Sequence, residues 1–101
     1  MAAWSFLTNH ARALLYITDH TDARLRELAV ALDVTERTAY GIVADLTEAG
    51  YVVKERDGRR NRYQVQEHLP LGDPITRERT IGELLELLTN AKRPKRRPAA
   101  R

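Results

Sequence analysis

Residues 25–65, LRELAVALDVTERTAYGIVADLTEAGYVVKERDGRRNRYQV, constrain this chain more than any other stretch. Leu25, Leu28, Ala29 and Leu32 recur at helical spacing. So do Ala39, Ile42, Val43 and Leu46. Only Asp33, Val34 and Thr35 separate the two stripes. Asp33 sits where a left-handed residue is needed to stop the first helix, a conformation Asp tolerates better than most residues. Val34 is expected to be buried in the turn. Thr35 is a good N-cap for the second helix, with Glu36 in its favourable first turn. Gly50 supplies the stop. Tyr51, Val52 and Val53 then begin a strand, and Asp57-Gly58 is a strong tight-turn signal. On the return strand Tyr63 and Val65 share one face, with Arg62 and Gln64 on the other.

The flanks supply further helices. Trp4, Leu7, Ala11, Leu14, Leu15 and Thr18 recur at helical spacing and predict a helix over roughly Ser5–Asp19. Ala23-Arg24-Leu25 suits a short extended segment before the next helix. Asp73-Pro74 pairs an N-cap with proline at the first helical position. Ile81, Leu84, Leu85 and Leu88, with Leu87 beside them, make the apolar stripe of a last helix over about 74–91. Gly82 inside it costs roughly 1 kcal/mol relative to Ala, a cost that the close approach of another helix would explain. The expected organisation is a domain over 1–91 and a basic, disordered tail over 92–101.

Charge is segregated. The net charge is +3, yet Lys92 to Arg101 hold six basic and no acidic groups, so residues 1–91 carry a net −3. Lys54–Tyr63 hold five basic groups against two acidic ones, and the remaining body nets −6. Local basic patches, more than total charge, mark a surface for nucleic acid. The chain has 101 residues and no cysteine. It thus has no disulfide, thiolate metal site or cysteine nucleophile, which fits a cytoplasmic protein. No apolar run reaches the roughly 18–20 residues of a membrane span, so no membrane partner is expected. The first residues lack a basic lead and a clear cleavage site, so no secretory signal is expected. His10, His20 and His68 stand at unrelated spacings, and neither a metal nor another cofactor is implied. No Gly-rich phosphate loop and no Ser-His-Asp order points to an enzyme.

Leu28-Ala29, the break Asp33-Val34-Thr35, the run Leu46-Thr47-Glu48-Ala49-Gly50-Tyr51-Val52 and the hairpin Asp57-Gly58-Arg59-Arg60 through Arg62-Tyr63 resemble the winged helix-turn-helix of MarR- and ArsR-type bacterial transcription regulators. The resemblance covers about residues 10–66. It implies a mainly α chain with a small β-hairpin wing, an α+β fold. The helix-turn-helix lies at about 25–50 and the wing at about 51–66, flanked by N- and C-terminal dimerisation helices. Two residues depart from the pattern: Asp33 at a usual glycine position, and Gly41 where such helices often carry Arg or another polar residue.

In a helix-turn-helix the second helix enters the major groove with its N-terminal part. Arg37 is placed to read guanine or hold a phosphate, and Thr38 and Tyr40 to donate to phosphate or touch a thymine methyl. Thr35 and the helix N-terminus can hold a phosphate. On the wing, Lys54, Arg56, Arg59, Arg60, Asn61 and Arg62 suit the DNA backbone or a narrow minor groove. The competing readings are a solvated helix surface and an edge hairpin protected by charge. Trp4 and Leu7 with Ile81, Leu84, Leu85 and Leu88 are the candidates for dimerisation, unless the last helix only closes its own core. The expected function is a homodimeric, sequence-preferring regulator binding double-stranded DNA in the cytoplasm, at the nucleoid. A low-specificity architectural DNA-binding protein and a winged-helix protein-interaction module are the alternatives. No small-molecule effector is identified.

Overall fold

The computed structural model describes residues 5–58 and 60–89, without the side chains of residues 57 and 60. Trp4, Arg59 and the tail over 92–101 lie outside the described residues. The backbone gathers into two compact units, one ending at Val65 and the other beginning at Gln66.

The first unit runs α1 (Asn9–Asp19), α2 (Leu25–Leu32), α3 (Glu36–Glu48), β1 (Val52–Asp57) and β2 (Arg60–Val65). Helix α1 starts later than the apolar spacing suggested, because the Thr8 side chain accepts the Ala11 N–H at 3.1 Å and caps it there. Its buried residues are Ala13, Leu14 and Ile17, while Ala11, Leu15 and Thr18 are half-buried. The inward face is therefore rotated from the expected one. Residues 13–17 read ALLYI, and an unbroken apolar run carries no periodic signal to fix a face.

Ala23-Arg24-Leu25 is not a strand. Leu25 already belongs to α2, whose start is held by the Arg24 N–H donating to Glu27 Oε1 at 2.9 Å. What remains of the expected third strand is one hydrogen bond, from the Tyr63 N–H to Thr21 O at 2.8 Å. Among the described residues the sheet is two-stranded and antiparallel, with Val52 opposite Val65, Lys54 opposite Tyr63, Glu55 opposite Arg62 and Arg56 opposite Asn61.

The turn between α2 and α3 follows the reading of its residues. Asp33 is left-handed at φ 62° and ψ 48°. Its N–H bonds Val30 O at 3.1 Å, and the Val34 N–H reaches back to Ala29 O at 3.0 Å, closing the helix end in a Schellman pattern. Thr35 Oγ1 accepts the Thr38 N–H at 3.0 Å and starts α3. Val34 is half-buried, not fully enclosed. The same closure ends α3, with Gly50 at φ 89° and the Tyr51 N–H on Leu46 O at 3.0 Å. The core of this unit joins Ala13, Leu14 and Ile17 to Leu28, Ala29 and Leu32 of α2. Ala39, Ile42, Val43 and Leu46 of α3 and Val52 and Tyr63 of the hairpin complete it.

In the second unit Asp73 caps only a single 3-10 turn, Pro74–Thr76, and the chain then leaves helical geometry at Arg77, φ 54°. The last helix, α4, spans Ile81–Thr89. Its start is a capping box missed in the sequence: the Glu83 N–H donates to Thr80 Oγ1 at 3.2 Å, and the Thr80 N–H to Glu83 Oε1 at 2.9 Å. The Thr80 N–H, with the Arg79 guanidinium beside it, holds the Glu83 carboxyl below its ordinary value. Ile81, Leu85 and Thr89 form the buried side of α4. Gly82 is explained by a loop: its N–H donates to Glu67 O at 2.9 Å, and a Cβ there would stand 2.9 Å from Glu67 Cβ and 3.0 Å from Glu67 O.

Two stability changes are expected. Asp33→Gly relieves a left-handed non-glycine residue and removes a negative charge from a helix C-terminus. It should stabilise the chain by about 1 kcal/mol and raise the melting temperature by roughly 4–8 °C. Gly82→Ala should lower it, despite alanine's better helix propensity, because the methyl must displace the Glu67 backbone at a cost of about 1–3 kcal/mol. Thermal unfolding by circular dichroism measures both.

Candidate nucleic-acid interface

Helix α3 buries Ala39, Ile42, Val43 and Leu46, which leaves Glu36, Arg37, Thr38, Tyr40, Gly41, Ala44, Asp45, Thr47 and Glu48 exposed. Arg37 stands clear in solvent. Tyr40 is 66% exposed, unusual for so large a ring and suited to an intermolecular contact. The Thr35 hydroxyl is engaged within the helix start, accepting the Thr38 N–H and donating to Thr38 Oγ1 at 3.1 Å. Its first duty is therefore the cap, and the helix N-terminus offers an anion Arg37 and the remaining N–H groups. The far end of α3 is acidic: Asp45 pairs with His10 of α1 at 2.9 Å, and Glu48 is exposed.

The hairpin register sorts the wing into two faces. Val52, Lys54, Arg56, Asn61, Tyr63 and Val65 alternate onto one face, while Val53, Glu55, Arg62 and Gln64 fall on the other. Val52 and Tyr63 are buried at the base of the first face, and Lys54, Arg56 and Asn61 extend it toward the tip, exposed. Arg56 Nε donates to Gly58 O at 3.4 Å, which leans its guanidinium over the turn. Gly58, at φ 68°, makes that turn possible. Arg62 lies on the opposite face, directly across from Glu55. The arginines that read as one cluster in sequence thus do not share a face. Arg60 pairs with Asp57 through its backbone, and Arg59 lies outside the described residues.

A groove of about 680 Å³ joins the helix to the wing. Tyr40, Val43, Ala44, Thr47 and Glu48 line it from α3, Lys54, Asn61 and Tyr63 from the hairpin, Asp22, Ala23 and Arg24 from the segment before α2, and Leu25 from the first residue of α2. Three of the expected contact residues, Tyr40, Lys54 and Asn61, therefore meet in one concavity. Arg24 joins them and was missed. Its sequence signal was slight: a basic residue just before the first helix of the pair, in a segment read as a strand. Tyr63 is 9% exposed. Burial pushes its phenol above the ordinary value, so the hydroxyl remains a hydrogen-bond donor at neutral pH.

Of the residues expected to dimerise, Ile81 and Leu85 are buried within the chain, Leu7 and Leu84 are half-buried, and Leu88 is 45% exposed. Leu87, 75% exposed, adds to the apolar surface of α4. Among the described residues no three His, Asp or Glu side chains come together as a metal-holding group. No described helix is long and apolar enough to cross a membrane.

No curated protein matches the chain. A crystal structure of the zinc-dependent MarR family transcriptional regulator AdcR, in its Zn(II)-bound state, is similar at a TM-score of 0.49 and 22% identity, over 97% of this chain and 66% of that one. The chain thus spans just under two thirds of that regulator's length. The family model for MarR proteins matches residues 6–62, which take in the whole of α1, α2, α3 and β1 and the first half of β2. With its helix pair, tight turn and hairpin wing, and with more than half of its residues matched, the chain belongs to the MarR family of winged-helix transcription regulators.

Proposed function

We propose that the chain binds double-stranded DNA as a sequence-preferring homodimer, with the N-terminal half of α3 in the major groove and the wing on the backbone or in the minor groove. The observation that carries this reading is the shared groove, in which Tyr40 faces the same space as Lys54, Asn61 and Arg24. Helix and wing share this one concavity, whose polar groups, Arg24, Lys54 and Asn61, stand among apolar ones such as Val43 and Ala44. A B-DNA major groove, about 12 Å wide, admits one α-helix. Charge favours this direction of entry: at the start of α3 the Glu36 carboxylate pairs with Arg26 at 3.9 Å and Arg37 stands beside it, whereas Asp45 and Glu48 near the end would repel phosphates. Lys54 and Arg56 supply positive charge on the groove side of the wing, and Arg59, Arg60 and Arg62 add to the hairpin's total.

A homodimer would set two recognition helices about one DNA turn apart. Since Ile81 and Leu85 serve the chain's own interior, the α4 surface left for a second copy centres on Leu87 and Leu88, with Leu84 at its margin. The tail adds sequence-independent attraction to phosphate. Low-specificity architectural binding is the second reading, favoured by the six basic residues over 92–101 and by the few long polar side chains on the outer face of α3. Such binding proteins act in the cytoplasm, at the nucleoid, and carry out no catalysis.

Fluorescence anisotropy on duplex DNA at low salt tests the proposal, and no binding by the intact chain would sink it. Arg59→Ala with Arg60→Ala should weaken binding and reduce the salt slope by about 0.9 for each phosphate left without its arginine. Arg37→Ala should cost about 1–3 kcal/mol on preferred sequence and much less on random sequence, if it reads a base. Equal losses on both would favour the architectural reading. A loss confined to deletion of residues 92–101 would move the interface to the tail.

A further inference from the structure

We infer that Gly41 is the point of closest approach between α3 and the floor of the DNA major groove, and hence a determinant of which duplexes the protein accepts. This rests on the proposed DNA binding and adds to it an approach that no side chain makes. Glycine in the interior of a 13-residue helix costs about 1 kcal/mol relative to Ala. Something should offset that cost, and the fold does not. Gly41 is absent from the residues with positive φ, so no special backbone conformation requires it. A Cβ built there meets nothing within 4 Å, so no neighbour excludes a side chain. Gly82 makes the contrast, since there a Cβ would strike Glu67 at 2.9 Å.

Position supplies the rest. At about 100° per residue, Ala39, Ile42, Val43 and Leu46 point inward, and Gly41 lies on the opposite side with Arg37 one turn before it. This is the ridge of α3 farthest from the core, the part that reaches deepest when the helix enters a groove. Tyr40 and Ala44, which border it, line the groove shared with the wing. A bare Cα at that place lets the backbone settle against the base-pair edges. Arg37 is then carried within reach of a base, and the thymine C5 methyl, which projects into the major groove, finds room. A side chain at position 41 would hold the whole helix off by its own width.

The test compares the intact chain with Gly41→Ala and Gly41→Leu. Thermal melting is followed, together with binding to a pool of duplexes about three helical turns long and sequencing of the bound fraction. Both variants should melt above the parent, because both residues are better helix formers in open space. Gly41→Leu should bind at least about tenfold more weakly, with an altered sequence preference, and Gly41→Ala should fall between. Undiminished binding by Gly41→Leu with unchanged preference would overturn the inference and leave the DNA-binding reading intact. A lower melting temperature for Gly41→Ala would also overturn it, since the glycine would then have an intramolecular reason. If the parent chain bound no duplex, the DNA-binding reading itself would fail and this inference with it.

Discussion

Everything in the first unit depends on how three residues end one helix and begin the next. Asp33 takes a left-handed conformation, the Val34 N–H bonds back to Ala29 O, and Thr35 caps the N-terminus of α3. Each of these bonds satisfies a backbone group that a helix end would otherwise leave unpaired. Together they leave almost no freedom in the direction α3 takes from α2. Leu28, Ala29 and Leu32 on one side of the turn and Ala39, Ile42, Val43 and Leu46 on the other then bury against α1 and the hairpin. A looser connection would bury the same apolar area without aiming the outer face of α3. The turn gives the exposed face of α3 a fixed direction relative to the core.

The wing obeys a different constraint. A hairpin alternates its side chains, so basic residues placed close together in sequence are divided between two faces. Lys54, Arg56 and Asn61 continue the face whose base, Val52 and Tyr63, is anchored in the core, whereas Arg62 is set across from Glu55 on the other. The anchored face borders the groove beside α3. Alternation thus lets one short hairpin present two differently charged surfaces, and net charge alone does not reveal which of them meets a partner.

Two helical glycines show how the same residue type answers different demands. Gly82 is needed because the Glu67 backbone passes within hydrogen-bonding distance of α4, leaving no volume for a methyl group. Gly41 has free space around it, and its cost in helix stability is not recovered anywhere within the described residues. A protein that gives up stability at an exposed position without internal compensation points outward for the reason. The two are indistinguishable as letters in a helical stretch, and only the surroundings of each Cα separate them.

Much of the first unit was legible in the sequence because its signals are local. The stripes of α2 and α3, the left-handed Asp33, the Thr35 cap, the Gly50 stop and the Asp57-Gly58 turn are each decided within a few residues, by backbone sterics and hydrogen bonds that do not depend on distant neighbours. Where local signals were ambiguous or in competition, the reading slipped. The run ALLYI could not say which face of α1 turns inward, and the strong Asp73-Pro74 start competed with the Thr80–Glu83 capping box that actually opens α4. Candidate site residues could be picked out by type and position, but their grouping could not. Arg24, Tyr40, Lys54 and Asn61 come from three segments, and only chain packing brings them around one groove. The sequence by itself determined the order of helices, turn and hairpin, because those rest on short-range chemistry. The tertiary structure alone decided which charges share a surface and which glycine is hemmed in, because both are set by contacts between residues far apart along the chain.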